Sequence, residues 1–215
     1  MGNRKIIGIP CWLDKERVGC GVSYMEYFQQ YGDVRLIMPY EILAEDIDLL
    51  VMTGGPDASV AGYHNDDYPG YYTSNSCQFR EFFAAKRLKN YIGVKSILGI
   101  CLGMQYINLH FNGGLDQNIY HEVDKDSCHP IYDMNMQPLM EKIGKKEYPI
   151  LVNSSHHQGV PRNLLGNELI PICQSAEGYI ECFKHETLPI VGTQFHVERA
   201  NNYIAHELIK ELLNK

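Results

Sequence analysis

Ser96-Ile-Leu-Gly-Ile-Cys101-Leu-Gly-Met-Gln105 is the stretch on which the fold turns. A short apolar run, the profile of a buried strand, stops at Gly99-x-Cys101-x-Gly103, and a helical pattern over Met104–Phe111 follows with no room for a loop. A strand that passes straight into a helix through such a turn lifts its central side chain clear of the sheet, the geometry of a nucleophile elbow. The turn is crowded, so glycine is expected on both sides of the lifted residue. Beside a helix N-terminus, the macrodipole and free N–H groups favour the thiolate form of that cysteine. The competing reading is an inert buried cysteine at a tight strand–helix junction.

Working outward, buried-strand patterns occur at Lys5–Pro10, Arg35–Met38 and Asp48–Met52. Helical spacing occurs at Ser23–Tyr31, with Ser23 as N-cap, and at Cys77–Tyr91, with Phe79, Phe82, Phe83 and Leu88 facing the core. Strand and helix alternate through this half, which predicts right-handed βαβ units and a mainly parallel sheet. Strands are predicted at Leu115–Val123, Pro149–Asn153, Glu168–Gln174, Tyr179–Lys184 and Ile190–Gln194, with an amphipathic helix at Asn202–Leu213. Ala58–Ser76, rich in Gly, Tyr, Asp and Asn, has no periodic apolar signal and reads as a long surface loop. The expected architecture is one α/β domain over residues 1–215, a three-layer sandwich around a mainly parallel central sheet.

Composition excludes several function classes. The net charge of −7, with no block of like charges, argues against a nucleic-acid or membrane-surface binder. No apolar run approaches the ~20 residues that span a bilayer, and the N-terminus lacks a signal-peptide profile, so the expectation is a cytoplasmic protein. The seven cysteines are irregularly spaced and include no CxxC pair, which speaks against a zinc site or a dithiol centre.

Chemistry at Cys101 requires a base. Gly192-Thr-Gln-Phe-His196-Val-Glu198 offers His196 at the C-terminal end of an apolar strand, the sheet edge on which the elbow also lies. Glu198 is placed to bond the far imidazole nitrogen, as the third member of a triad does. Acyl transfer also needs oxyanion donors. The Leu102 N–H, next after the nucleophile, is the usual first donor, and the amides of Gly54 and Gly55 in Thr53-Gly-Gly-Pro-Asp57 offer a second.

These three segments, in this order and spacing, resemble the class I glutamine amidotransferase family, a flavodoxin-like fold. Asp57 with Tyr63 after it, Asn112-Gly-Gly-Leu-Asp-Gln117, Val152-Asn-Ser-Ser-His-His-Gln158 and Ala176-Glu-Gly-Tyr-Ile-Glu181 further resemble its γ-glutamyl hydrolase branch. The resemblance implies Cys101 as nucleophile, His196 as general base and then acid, and Glu198 as the orienting carboxylate. It implies an oxyanion hole from the Gly55 and Leu102 amides. It further implies a site for the glutamyl α-amino and carboxylate groups made by Gln105 and the backbone around His156, His157 and Gln158, with Gly54 beside it. Two positions depart from the branch: Val197 stands where proline is usual between His and Glu, and Leu102 where arginine is common. Leucine at the latter is typical of amidotransferases that feed ammonia to a synthetase.

The first functional reading is therefore a free-standing hydrolase that cleaves a small γ-glutamyl amide through a γ-glutamyl thioester. The alternative is a glutaminase subunit serving a separate synthetase partner, and a third is a non-enzymatic binding module. No cofactor or metal is expected, because the two adjacent histidines of the Asn-Ser-Ser-His-His-Gln stretch point in different directions. A homodimer is the default assembly.

Overall fold

The computed structural model describes residues 4–14, 17–59, 78–119, 127–199 and 203–215. The chain enters through β1 (Ile6–Pro10), a short hairpin of β2 (Trp12–Asp14) and β3 (Arg17–Gly19), and α1 (Val22–Phe28). It continues through β4 (Asp33–Ile37), β5 (Leu49–Met52), α2 (Gln78–Tyr91), β6 (Ser96–Ile100) and α3 (Leu102–His110). The strand-rich half holds β7 (Cys128–Pro130), β8 (Met140–Ile143), β9 (Lys146–Pro149), β10 (Leu151–Asn153), a 3₁₀ turn (Arg162–Leu164), β11 (Leu169–Gln174), β12 (Ile180–His185) and β13 (Ile190–Thr193). Helix α4 (Tyr203–Leu213) follows.

A seven-stranded sheet in the order β11-β12-β13-β6-β5-β1-β4 forms the middle layer. The pairs β13–β6, β6–β5, β5–β1 and β1–β4 are parallel, while β11–β12 and β12–β13 are antiparallel. Strands β5 and β6 are buried along their whole length, as their uninterrupted apolar character requires. Alternate side chains serve opposite faces. Leu49 and Val51 of β5 join Tyr24 and Phe28 of α1 and Ile209 of α4 in one cluster. Leu50 and Met52 join Leu88 and Tyr91 of α2 and Ile107 of α3 in the other. Helix pair, sheet and helix pair make the three-layer α/β sandwich that the sequence predicts.

Some expectations change. No strand runs over 115–119; Asp116 makes a single antiparallel bridge to Gly159, and the Ile119 N–H bonds the His157 carbonyl. That segment follows a glycine pair and pairs with a loop instead of a sheet strand, and residues 120–123 lie outside the described residues. Ser23 is not a cap, because α1 begins one residue earlier, behind Gly21, with no side-chain cap bond. Phe82 faces solvent at 54% exposure, with the Lys86 ammonium over its ring, whereas Leu88 is buried. Phe83 packs edge-on against Tyr40. The stretch expected as one strand over 149–153 is divided, Pro149 ending β9 and β10 starting at Leu151. The β2–β3 and β8–β9 hairpins and β7 carry no clear sequence signal.

Parallel pairing of β13 with β6 places Thr193 beside Ile100, and the Cys101 N–H bonds the Thr193 carbonyl at 2.7 Å. The ends of β5, β6 and β13 therefore open onto one edge, where ligand sites of such sheets gather.

Candidate active site

Cys101 sits between β6 and α3 with φ 51° and ψ −108°, a left-handed conformation rare for a residue with a side chain. The glycines on either side are dictated by space. A Cβ on Gly103 would lie 2.0 Å from the Met52 carbonyl oxygen, and one on Gly99 would lie 2.7 Å from the Gly103 carbonyl. The thiol side chain is buried, and the N–H groups of Leu102 and its successors open the first turn of α3 without intrahelical partners.

The His196 ring and the Cys101 side chain border the same glycine, a Cβ on Gly54 falling 2.7 Å from the ring and 3.4 Å from the Cys101 Cβ, and His196 Nδ1 donates to Glu198 Oε1 at 2.6 Å. With Nδ1 so occupied, Nε2 is the nitrogen left for the sulfur. The Glu198 side chain is fully buried. Burial pulls the His196 pKa down, but its hydrogen bonds to Cys101 and Glu198, together with their negative charge, outweigh this and push it up to about 9. The backbone of His196 is clamped by Asn153 at the end of β10, which donates to the His196 carbonyl at 2.9 Å and accepts its N–H at 3.0 Å.

Tyr24 of α1 also enters the site. Its hydroxyl accepts the Gly54 N–H at 3.0 Å and lies 3.2 Å from His196 Nδ1. Burial, and then the Glu198 and Cys101 charges, raise its pKa, so it stays a neutral phenol. A Cβ on Gly54 would lie 2.7 Å from the His196 ring, 2.8 Å from the Tyr24 hydroxyl and 3.4 Å from the Cys101 Cβ. Gly54 thus borders the thiol and imidazole directly, where any side chain would intrude. Gly55, one residue on, is exposed.

Gln105, one turn along α3, is buried, and its Nε2 reaches the Gln158 carbonyl and Gln194 Oε1, each at 3.3 Å. The Gln158 amide is fully used inside the protein. Its Oε1 accepts the Ala58 N–H at 2.8 Å, and its Nε2 donates to the Ala58 carbonyl at 2.8 Å and to Gln117 Oε1 at 2.7 Å. The exposed His157 ring bonds the Gln117 carbonyl and, at 2.8 Å, Asp57 Oδ1. His156 Nδ1 donates to the Gln158 carbonyl at 2.9 Å. Segments 57–58, 116–117 and 156–159 are thereby laced together beside the elbow. Tyr179 joins them, its hydroxyl donating to Asp116 Oδ2 at 3.0 Å. Sequence reading missed Tyr24 and Asn153. A helix aromatic carries no local mark of a partner 172 positions away, and nothing beside Asn153 in sequence marks its bonds to His196, 43 positions on. Tyr63, Tyr68, Tyr71 and Tyr72 lie outside the described residues. Among the described residues no group of three or more His, Cys, Asp or Glu side chains could hold a metal ion, and no helix is long and apolar enough to cross a membrane.

Comparison with known proteins agrees with this picture at the level of class. The fold matches a GMP synthase subunit-type protein of Thermoplasma acidophilum with a TM-score of 0.65 at 18% identity, covering 100% of this chain and 94% of that one. The glutamine amidotransferase-like protein YvdE of Lactococcus lactis is 26% identical over 206 residues, 88% of this chain and 84% of its own. The γ-glutamyl-CDP-amidate hydrolase of Campylobacter jejuni is 28% identical over 120 residues, 54% of this chain and 48% of its own. These relatives define a glutamine amidotransferase-like class. Within it, residues 14–198 match the Peptidase C26 family, and the chain belongs to that family.

Proposed function

We propose that this protein hydrolyses the γ-glutamyl amide bond of a small γ-glutamyl compound, with Cys101 as nucleophile, His196 as acid and base, and Glu198 as orienter. One observation carries the reading: a cysteine at a strained elbow and the His196 ring border the same glycine, Gly54, with a buried carboxylate 2.6 Å from the imidazole Nδ1. A His196 pKa near 9 means that the imidazole holds a proton at neutral pH, which suits a thiolate–imidazolium pair.

The Cys101 thiolate adds to the γ-carbonyl carbon, and the oxygen takes up the electron pair as an oxyanion received by the Gly55 and Leu102 N–H groups. His196 gives its Nε2 proton to the departing nitrogen as the C–N bond breaks, which leaves a γ-glutamyl thioester and a free amine. The now neutral His196 takes a proton from water, and the hydroxide adds to the thioester carbonyl. Collapse expels the Cys101 thiolate and releases glutamate, with the imidazolium restored. Gln105 and the backbone at His156–Gln158 hold the α-amino and carboxylate end; the Gln158 side-chain amide is already saturated by Ala58 and Gln117 and takes no part.

A second reading has one observation in its favour. Leu102 is the residue typical of glutaminase subunits that pass ammonia to a synthetase, and it follows the nucleophile directly. Steady-state glutamate release from glutamine and from a panel of γ-glutamyl amines, by the protein alone, separates the two. Efficient turnover of a γ-glutamyl amine supports the hydrolase; turnover that appears only with an added synthetase rules it out.

A further inference from the structure

Arg80, on the first turns of α2, grips the backbone of the Gly-Gly turn. Its Nη2 donates to the Thr53 carbonyl at 3.1 Å, to Thr53 Oγ1 at 3.0 Å and to the Gly54 carbonyl at 2.5 Å. Its guanidinium also fills the space beside Gly55, where a Cβ would come within 2.3 Å of Nη1. The C=O and N–H of a planar trans peptide point in opposite directions, and the protein has no cis peptide bonds among the described residues. A guanidinium that holds the Gly54 carbonyl therefore turns the Gly55 N–H away from itself. Gly54 itself meets Cys101, His196 and Tyr24, while the space beside Gly55 is taken by Arg80. Without the guanidinium, the two glycines have no side chains to prevent the peptide from rotating and presenting its carbonyl to the thiol.

We infer that Arg80 is a positioning residue that locks the Gly54–Gly55 peptide with its N–H toward the reacting carbonyl, and so builds half of the oxyanion hole. This deepens the hydrolase reading and rests on it. The bonds of Arg80 go to Thr53 and Gly54 and not to the sulfur, so its role runs through the orientation of one amide.

The test measures kcat and KM of the wild type, Arg80→Met and Arg80→Lys on γ-glutamyl-p-nitroanilide, alongside the rate at which iodoacetamide alkylates Cys101. Alkylation needs the thiolate but forms no oxyanion. Arg80→Met is expected to lose about 10²-fold in kcat with KM changed less than about threefold and alkylation unchanged. Arg80→Lys, which keeps one cationic donor, should recover part of that loss. Gly55→Ala crowds the guanidinium, and its combination with Arg80→Met should cost less than the product of the two single effects, because both act on one peptide. A folded Arg80→Met with wild-type kcat, or one in which alkylation falls as far as kcat, overturns the positioning role. Fully multiplicative losses in the double variant do the same. A wild-type protein that alkylates at Cys101 yet turns over no γ-glutamyl amide, with or without a synthetase, removes the hydrolase reading itself and Arg80's role with it.

Discussion

The elbow at Gly99–Gly103 and the turn at Thr53–Ala58 border the same thiol, but they are held in place in opposite ways. The elbow is built by its immediate neighbours: the fully buried β6 before it, the fully buried first turns of α3 after it, and a main-chain bond to Thr193. The turn belongs to no regular element. Its backbone is pinned by Tyr24 of α1, Arg80 of α2 and Gln158, with His157 holding the Asp57 carboxylate. The thiol is thus positioned by packing and main chain, whereas the turn facing it is positioned by polar side chains drawn from far along the chain. Damage at the elbow should abolish chemistry outright. Damage at the turn should lower the rate by degrees and leave the thiol reactive.

The sharpest break in that comparison is Cys101→Ala, which is expected to remove activity by ~10⁴-fold or more while circular dichroism stays native and thermal unfolding stays cooperative. A variant that kept wild-type turnover would show that the elbow is only structural. Next comes Glu198→Gln, for which loss of the orienting carboxylate should cost roughly 10³-fold in kcat. In this variant the His196 pKa, followed by NMR, should fall from about 9 toward the ordinary histidine value of 6.5, as it should in Cys101→Ala. The turn should respond more mildly. Gln158→Ala leaves the buried Ala58 N–H and carbonyl unpaired, at a cost of about 1–3 kcal/mol in denaturant-measured stability. It should also reduce kcat about tenfold with the alkylation rate of Cys101 unchanged. Tyr24→Phe removes one neutral hydrogen bond to Gly54, and a loss of about fivefold in kcat is expected.

Stability itself should carry the signature of His196. Its folded pKa is raised, so the stabilisation is fully present below about pH 6.5 and is lost as pH climbs through about 9. The contribution is on the order of 3 kcal/mol, and urea unfolding across pH 6 to 10 should show a decline that Cys101→Ala flattens. An equal decline in that variant would mean that the pair with the thiol contributes nothing.

The same contrast explains what the sequence made legible. Strands β1, β5, β6 and β13 read as apolar runs because both faces of a covered parallel sheet are buried. The elbow and the His196–Glu198 spacing read directly because their geometry is local. The β8–β9 hairpin is silent for the converse reason: eight strand residues, all exposed but Glu141, bear no burial pattern to read. Arg80, Tyr24 and Asn153 were invisible as site residues, since each acts on a partner tens of positions away through a bond that leaves no periodic trace. Phe82 misled because helical spacing marks a face without saying which face is covered.

The seating of β13 between β12 and β6 has a consequence for how the protein comes into being. The strand that delivers His196 and Glu198 is a central one, and its parallel partner β6 is made about ninety residues earlier. A ribosome that has released the elbow must still synthesise β7 through β13 before the sheet can close around it. Until then the cysteine has neither His196 nor Glu198 beside it. The arrangement of Cys101, His196 and Glu198 is completed with one late strand and not gradually along the chain.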